Sequence, residues 1–411
     1  MNMKEQDLIY DWNTVSDFFK PSKRIEFDDE TLRDGLQSPS VKDPTIEEKI
    51  EILHLMDDLG IDTADIALPG AGPRAKEQAL RLAREIVDSK LNIQANCAAR
   101  TVKQDILPVI EISQETGLPI EVSTFIGSSP IRIYAEEWNL DTMLRLTEES
   151  VTMVVEAGLP VMYVTEDTTR AHPDTVEKLY TTAIECGARR ICVCDTVGHV
   201  IPQGVKNLIG FISKVVEKTG EDVKIDWHGH RDRGLSVPNT IAAIEAGVDR
   251  VHATALGIGE RVGNTPMDIL LVNLTLLGWI DRDLTKLPEY CQRVSEACEV
   301  PITLNYPVMG EDAFRTATGV HAAAVIKAQR KGDKWLADRV YSGVPAHLFG
   351  REQRIEIGPM SGESNIVFWL KQKGIEPKKE IVEKIFSVAK SSRELLGEEE
   401  LLELLKQEKV I

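Results

Sequence analysis

Basic runs are missing from this chain. Across 411 residues, 66 Asp and Glu stand against 48 Lys and Arg, for a formal net charge of −18. Nucleic-acid binding draws on a basic footprint. Neither a Lys/Arg-rich run nor a basic stretch interleaved with aromatics occurs, so no nucleic-acid partner is expected. Also missing is any apolar stretch of bilayer-spanning length, so no membrane partner is expected. The opening residues, MNMKEQDLIYDWN, lack the uninterrupted apolar core of a secretory leader. Cysteine is scarce, six residues with no framework spacing, which points to a reducing compartment and a cytoplasmic location. Cys192 and Cys194 fall on one side of a predicted strand and read as small buried core residues rather than a two-cysteine metal site.

What is present is an alternation. Short β-like runs, IEFDDE (25–30), TADIALP (63–69), IQANCAA (93–99), PIEVSTF (119–125), VMYVTED (161–167), RICVCDT (190–196), KIDWHGH (224–230) and RVHATAL (250–256), are separated by amphipathic helical stretches. In the first of these, Asp43 reads as the cap, Pro44 as the first helical residue and Gly60 as the stop. Eight β–α alternations predict an α/β chain with a (β/α)8 TIM barrel over residues 1–285. An open doubly wound sheet would carry a Gly-rich phosphate turn after its first strand, and DETLRDG has none. From 286 to 411 the alternation stops, and a mainly helical accessory region is expected, without a C-terminal regulatory domain. Insensitivity to leucine follows as an expectation.

In such a barrel, polar residues at the C-terminal strand ends form the active site. Collected in order they are Arg33 and Asp34, Glu166 and Asp167, Asp195 and Thr196, the HGHRD of 228–232, and GIGERVGN of 257–264. His228 and His230, two apart on a strand, project from one face. Two imidazoles plus a carboxylate suit a catalytic divalent metal, with Asp34 as the carboxylate and Asn264 as a further oxygen donor. Arg33, permanently charged and planar, can stabilise an oxygen that gains negative charge. Gln37 can orient these groups, and Gly35 is expected to let the backbone turn sharply.

DETLRDGLQ, HGHRDRG and GIGERVGN together resemble the signatures of the metal-dependent acyltransferases of the 2-isopropylmalate synthase and homocitrate synthase family. CAARTVKQDI, TFIGSSPIR, TEDTTR and DTVG are similar as well, and the likeness runs over roughly residues 24–400. The resemblance implies a homodimer and a condensation of acetyl-CoA with a 2-oxo acid, followed by thioester hydrolysis. It implies a divalent ion (zinc, manganese or magnesium) at Asp34, His228, His230 and Asn264, and Arg33 as a catalytic and substrate-binding residue. It further implies Glu166 and His321 as proton-accepting groups, Thr196 as a ligand of the oxo-acid carboxylate, and Tyr341 of DRVYSGVP as an active-site tyrosine.

Period two places Met162 and Val164 on the lumen face beside Glu166. Homocitrate synthases have an arginine where Met162 stands, and an apolar lining leaves a second substrate carboxylate unpaired. The expected substrate is therefore 2-oxoisovalerate, giving 2-isopropylmalate; citramalate formation from pyruvate is the alternative, with homocitrate formation disfavoured. The chain departs from the family at Ser123 (often histidine), Val164 (often serine) and Arg231 (commonly asparagine). An acyl-CoA lyase of the same superfamily would carry a cysteine in the glycine loop, and GIGERVGN has none. A non-catalytic barrel is at odds with the intact polar set.

Overall fold

The computed structural model describes residues 7–15, 18–408 and 410. It contains two compact units, one of residues 1–282 with 297–299, the other of residues 283–296 with 300–411.

The first unit is a closed eight-stranded parallel barrel. Its strands are β1 (Glu26–Asp29), β2 (Thr63–Asp65), β3 (Gln94–Arg100), β4 (Glu121–Gly127), β5 (Val161–Glu166), β6 (Arg190–Asp195), β7 (Lys224–Gly229) and β8 (Arg250–Ala253). Closure comes from β1 pairing with β8, Glu26 opposite Arg250 and Asp28 opposite His252. All eight predicted strands are present. The outward faces bury Phe27, Tyr163, Ile191, Trp227 and Val251 against the surrounding helices.

The first helix, α1 (Ile46–Asp58), starts later than its sequence suggests. Thr45 is the cap, in a reciprocal capping box with Glu48, while Asp43 instead pairs with Lys49 Nζ at 2.6 Å. A side chain that can bond the third amide of the helix outcompetes a carboxylate two residues upstream. Gly60 follows the helix with φ 69°, as the stop signal requires.

The lumen departs from the usual apolar filling of such barrels. At its floor Asp226 accepts from Arg190 Nη1 and Arg250 Nε, each at 2.6 Å, and Arg190 donates to Glu26 at 2.7 Å. Arg250 and Asp226 are fully buried. The second unit is mainly helical. Its helices include Gly319–Arg330, Glu363–Gln372, Lys379–Ser391 and Glu398–Gln407, with a two-stranded parallel pairing of Arg315–Thr316 and Arg354–Ile355. The final charged helix buries Leu401 and Leu405 and turns its acids outward. Among the described residues, no helix is long and apolar enough to cross a membrane.

Candidate active site

The alternation of strand side chains decides what meets inside the barrel mouth. A chamber of about 210 Å³ is lined there by Glu30, Arg33, Asp34, Gln37, Asp65, Ala98, Ser123, Phe125, Met162, Val164, Glu166, Cys192, Cys194, Thr196, His228, His230, His252 and Glu260. Of the barrel residues singled out from the sequence, Arg33, Asp34, Gln37, Met162, Val164, Glu166, Thr196, His228 and His230 line it; Asp167, paired with Arg170, and Asp195, which accepts from Thr169 and the His199 amide, do not, and Asn264 lies behind His230 in a backbone bridge.

His228 Nε2 lies 3.5 Å from Asp34 Oδ2, and His230 Nε2 lies 3.9 Å from the same oxygen. These separations are too long for hydrogen bonds and close to the roughly 3.4 Å edge of a tetrahedron with ~2.1 Å metal–ligand bonds. Asp34 Oδ1 and Asn264 Oδ1 are buried without a hydrogen-bond partner among the described residues. Buried polar atoms left unpaired are costly, and a shared cation would satisfy them. Burial, followed by the neighbouring His228, lowers His230 to about 4, so its imidazole is neutral and its lone pair available. The donor set therefore fits a divalent ion. A second group, Glu30, His228 and His252, is also close enough to share an ion, but direct hydrogen bonds already link it.

The glycine loop supports this corner by being narrow. Gly259 has φ 144°, and a Cβ there would lie 2.2 Å from Asn264 Nδ2. At Gly263, φ 98°, a Cβ would lie 1.8 Å from the Gly257 carbonyl oxygen. Arg231 braces the loop. Its amide donates to Gly263 O at 3.0 Å and its Nε to Val262 O at 2.6 Å. Gly35 is not in a positive-φ conformation; a Cβ there would meet Ile258 at 3.0 Å, so space rather than a sharp turn explains the residue.

Arg33 is more heavily partnered than adjacency to Asp34 suggests. Its Nε donates to Asp65 Oδ2 at 2.6 Å and its Nη2 to Glu30 Oε1 at 3.1 Å, while Nη1 stands 3.5 Å from Asp34 Oδ2. Burial lifts Asp65 to about 7, against the pull of Arg33, and its Oδ1 has no hydrogen-bond partner among the described residues. Glu166 is held above the ordinary carboxylate range by burial first and by Glu260 among its neighbours, which suits a proton acceptor. Thr196 Oγ1 accepts from the Asp167 amide at 2.8 Å, which leaves its hydroxyl proton free to donate. Arg261 ties three loops together by donating to Thr196 O and to Asp232.

One wall of the chamber is apolar and sulfur-rich. Met162, Cys192 and Cys194 are buried together with half-buried Val164 packed on them, and the two thiol sulfurs are 3.8 Å apart. The cysteines are buried core residues, as the sequence suggests, and they also border the chamber. All six cysteines are free thiols. His321 and Tyr341 lie in the second unit, where their rings stack with centroids 4.1 Å apart and both are exposed.

Glu30, Asp65, His252 and Glu260 were not singled out from the sequence. The same period-two signal that found Met162 and Val164 would have found two of them. Asp28 on β1 and Glu30 just after it keep the alternation, and Arg250 and His252 alternate on β8.

The barrel places the chain among known proteins. An HMG-CoA lyase of Bacillus subtilis superposes with a TM-score of 0.58 at 18% identity, covering 69% of this chain and 97% of that one. In sequence, a homocitrate synthase of Methanopyrus kandleri is 33% identical over 366 residues, 88% of this chain and 86% of that protein. The 2-isopropylmalate synthase of Sulfolobus acidocaldarius is 32% identical over 381 residues, 91% of this chain and 93% of that protein. That of Methanocaldococcus jannaschii is 32% identical over 361 residues, but the match spans only 65% of its length. A citramalate synthase of Methanopyrus kandleri, named as putative, is as similar at 32%. The HMGL-like pattern itself matches residues 24–294, the stretch that builds the barrel and its mouth, and the chain belongs to the HMGL-like family.

Proposed function

We propose that this chain is an acyltransferase that condenses the acetyl group of acetyl-CoA with 2-oxoisovalerate, and that water then hydrolyses the resulting thioester to release CoA and 2-isopropylmalate. The observation that carries this reading is the meeting, in one chamber, of a metal-binding trio, a buried arginine, a carboxyl group poised to accept a proton, and an apolar wall. Relatives named as 2-isopropylmalate synthases support it. Those named as homocitrate and citramalate synthases are equally similar, so the choice of oxo acid rests on the wall.

Asp34, His228 and His230, with Asn264, would hold a divalent ion, and such an ion supplies Lewis-acid polarisation of a carbonyl oxygen. Arg33, fixed by Asp65 and Glu30, directs its guanidinium at an oxygen that gains negative charge. The Thr196 hydroxyl donates to the oxo-acid carboxylate. Glu166 takes a proton from the acetyl methyl group, directly or through water. The oxo-acid side chain lies against Met162 and Val164. We assign the condensation to the barrel and a completing role to His321 and Tyr341, whose exposed stacked pair is available to a barrel mouth in a homodimer.

The test is acetyl-CoA-dependent release of free CoA thiol across a panel of 2-oxo acids, with the product identified by mass. Release with 2-oxoisovalerate is expected. Release with none of the panel would overturn the acyltransferase reading, and release with pyruvate or 2-oxoglutarate alone would overturn the substrate.

A further inference from the structure

His228 makes a second contact, on the side of its ring away from Asp34. Its Nδ1 lies 2.7 Å from Glu30 Oε2. Glu30 Oε1 in turn lies 3.1 Å from His252 Nδ1, and His252 Nε2 lies 3.0 Å from Asp226 Oδ2. Asp226 is anchored by Arg250 and Arg190, at 2.6 Å each. Glu30, His252 and Asp226 are 3%, 2% and 0% exposed, so water does not compete for these contacts. The chain of contacts links β7 to the end of β1, then to β8, and back to β7 two residues below its start.

Donor and acceptor bookkeeping fixes the direction of each bond. An ionised carboxylate only accepts, so a ring nitrogen within hydrogen-bond distance of one must carry the proton. His252, between Glu30 and Asp226, therefore donates from both nitrogens. His228 donates from Nδ1, which turns Nε2 toward Asp34 and His230. His230 has no such support, because its Nδ1 has no partner among the described residues. The orientation of the metal-binding corner thus rests on one of its two imidazoles.

Glu30 is also contested. Arg33 Nη2 donates to the same Oε1 that receives His252. Without His252, Arg33 is the strongest remaining claim on that oxygen, and the carboxylate is drawn from His228 toward the guanidinium three residues on.

We infer that Glu30 and His252 are positioning residues for the metal-binding corner. The ladder Asp226–His252–Glu30–His228, fixed at the barrel floor by Arg190 and Arg250, holds the His228 ring with Nε2 facing the ion and so sets the affinity for it. The inference rests on the reading of Asp34, His228 and His230 as metal ligands.

The experiment measures affinity, not turnover. The full chain is stripped of metal, and zinc is titrated against a chromogenic chelator for wild type, Glu30→Gln, His252→Gln and the double variant. Carboxylate partners of ligating histidines are worth about ten- to a hundred-fold in metal affinity, and a loss of that size is expected for Glu30→Gln. His252→Gln loses several-fold, and adds nothing in the Glu30→Gln background because it acts through Glu30. A purely structural role would lower the melting temperature of the metal-free proteins and leave affinity alone. Wild-type affinity in both single variants overturns the inference, as does a His252 effect undiminished in the double variant. Should His252→Gln fail to fold, Glu30→Gln, which preserves volume, carries the decision. Absence of zinc binding by wild type would instead overturn the metal-site reading.

Discussion

Substrate choice is the sharpest consequence of the chamber wall. 2-Oxoisovalerate differs from pyruvate by two methyl groups, which would lie on Met162 and Val164. Each buried carbon of this kind contributes about 0.8 kcal/mol. Two give about 1.6 kcal/mol, or ~15-fold in kcat/KM at 1.36 kcal/mol per decade. That falls inside the ~10–200-fold range over which apolar pockets discriminate a methylene or two. 2-Oxoglutarate meets a different obstacle. Its second carboxylate would face Met162, Val164, Cys192 and Cys194. Behind them Arg250 touches Met162 Sδ with Nη2 at 3.1 Å, but it is already paired with Asp226 and Glu121. An ionised carboxylate left unpaired there costs several kcal/mol; at about 4 kcal/mol it is rejected ~10³-fold.

The perturbation that probes the wall is Val164→Ala, which withdraws two carbons from a half-buried position and so avoids a large packing loss. The 2-oxoisovalerate-to-pyruvate ratio should fall several-fold, mainly through 2-oxoisovalerate, while longer branched oxo acids gain. CoA thiol release, measured with a thiol-reactive chromophore over the oxo-acid series, gives each kcat/KM. A ratio at or below one in the wild type would refute the reasoning, and so would a ratio indifferent to Val164→Ala.

Three further outcomes are expected. His230→Ala should lower bound metal per chain and activity together with an unchanged circular dichroism spectrum; full activity in that variant would remove His230 from the site. Glu166 must be ionised to accept a proton, so activity falls as pH drops through its raised pKa. Glu260→Gln, by removing a like charge, should move that acid limb of kcat/KM to lower pH, and Arg132→Gln, by removing a favourable one, to higher pH; shifts in the opposite senses would sink Glu166 as the base. Asp226→Ala takes the shared carboxylate from Arg190, Arg250 and His252, leaving them Glu26, Glu121 and Glu30, and should cost about 3–5 kcal/mol in urea unfolding of the barrel; a loss below ~1 kcal/mol would mean the floor network contributes little.

The barrel was legible because each strand carries its own local signal, a short β-branched or apolar run between helical stretches, and closure then follows from the count. The mouth was legible where chemistry-bearing residues cluster in sequence, as at Arg33–Asp34 and His228–His230. Residues whose meaning comes only from closure were not. Glu30 acquires its partners 198 and 222 residues away, and His252 reads as an ordinary strand histidine until β1 and β8 pair. The Thr45 cap illustrates the local version of the same limit. Asp43 and Thr45 are both cap-forming residues, and only the reciprocal bond to Glu48 decides between them.

The charge inside the mouth bears on the proposed chemistry as a whole. Five carboxyl groups line the chamber, from Glu30, Asp34, Asp65, Glu166 and Glu260, with Arg33 as the one arginine among them. Arg33 is largely compensated by Asp65 and Glu30, and burial holds Asp65 and Glu166 above their usual range. Glu30 outweighs burial and raises His228 to about 9, so without an ion its ring is protonated and its charge is compensated by Glu30, and a metal at Nε2 would displace that proton. A 2-oxo acid is an anion, and the protein as a whole carries −18. Such a chamber has no surplus positive charge with which to receive it. A divalent ion at Asp34, His228 and His230 would reverse that balance at the corner where Arg33 and Thr196 converge. On the proposed function, the unpaired oxygens of Asp34 and Asn264 and the lowered His230 would supply such a site, and substrate binding would then depend on metal loading.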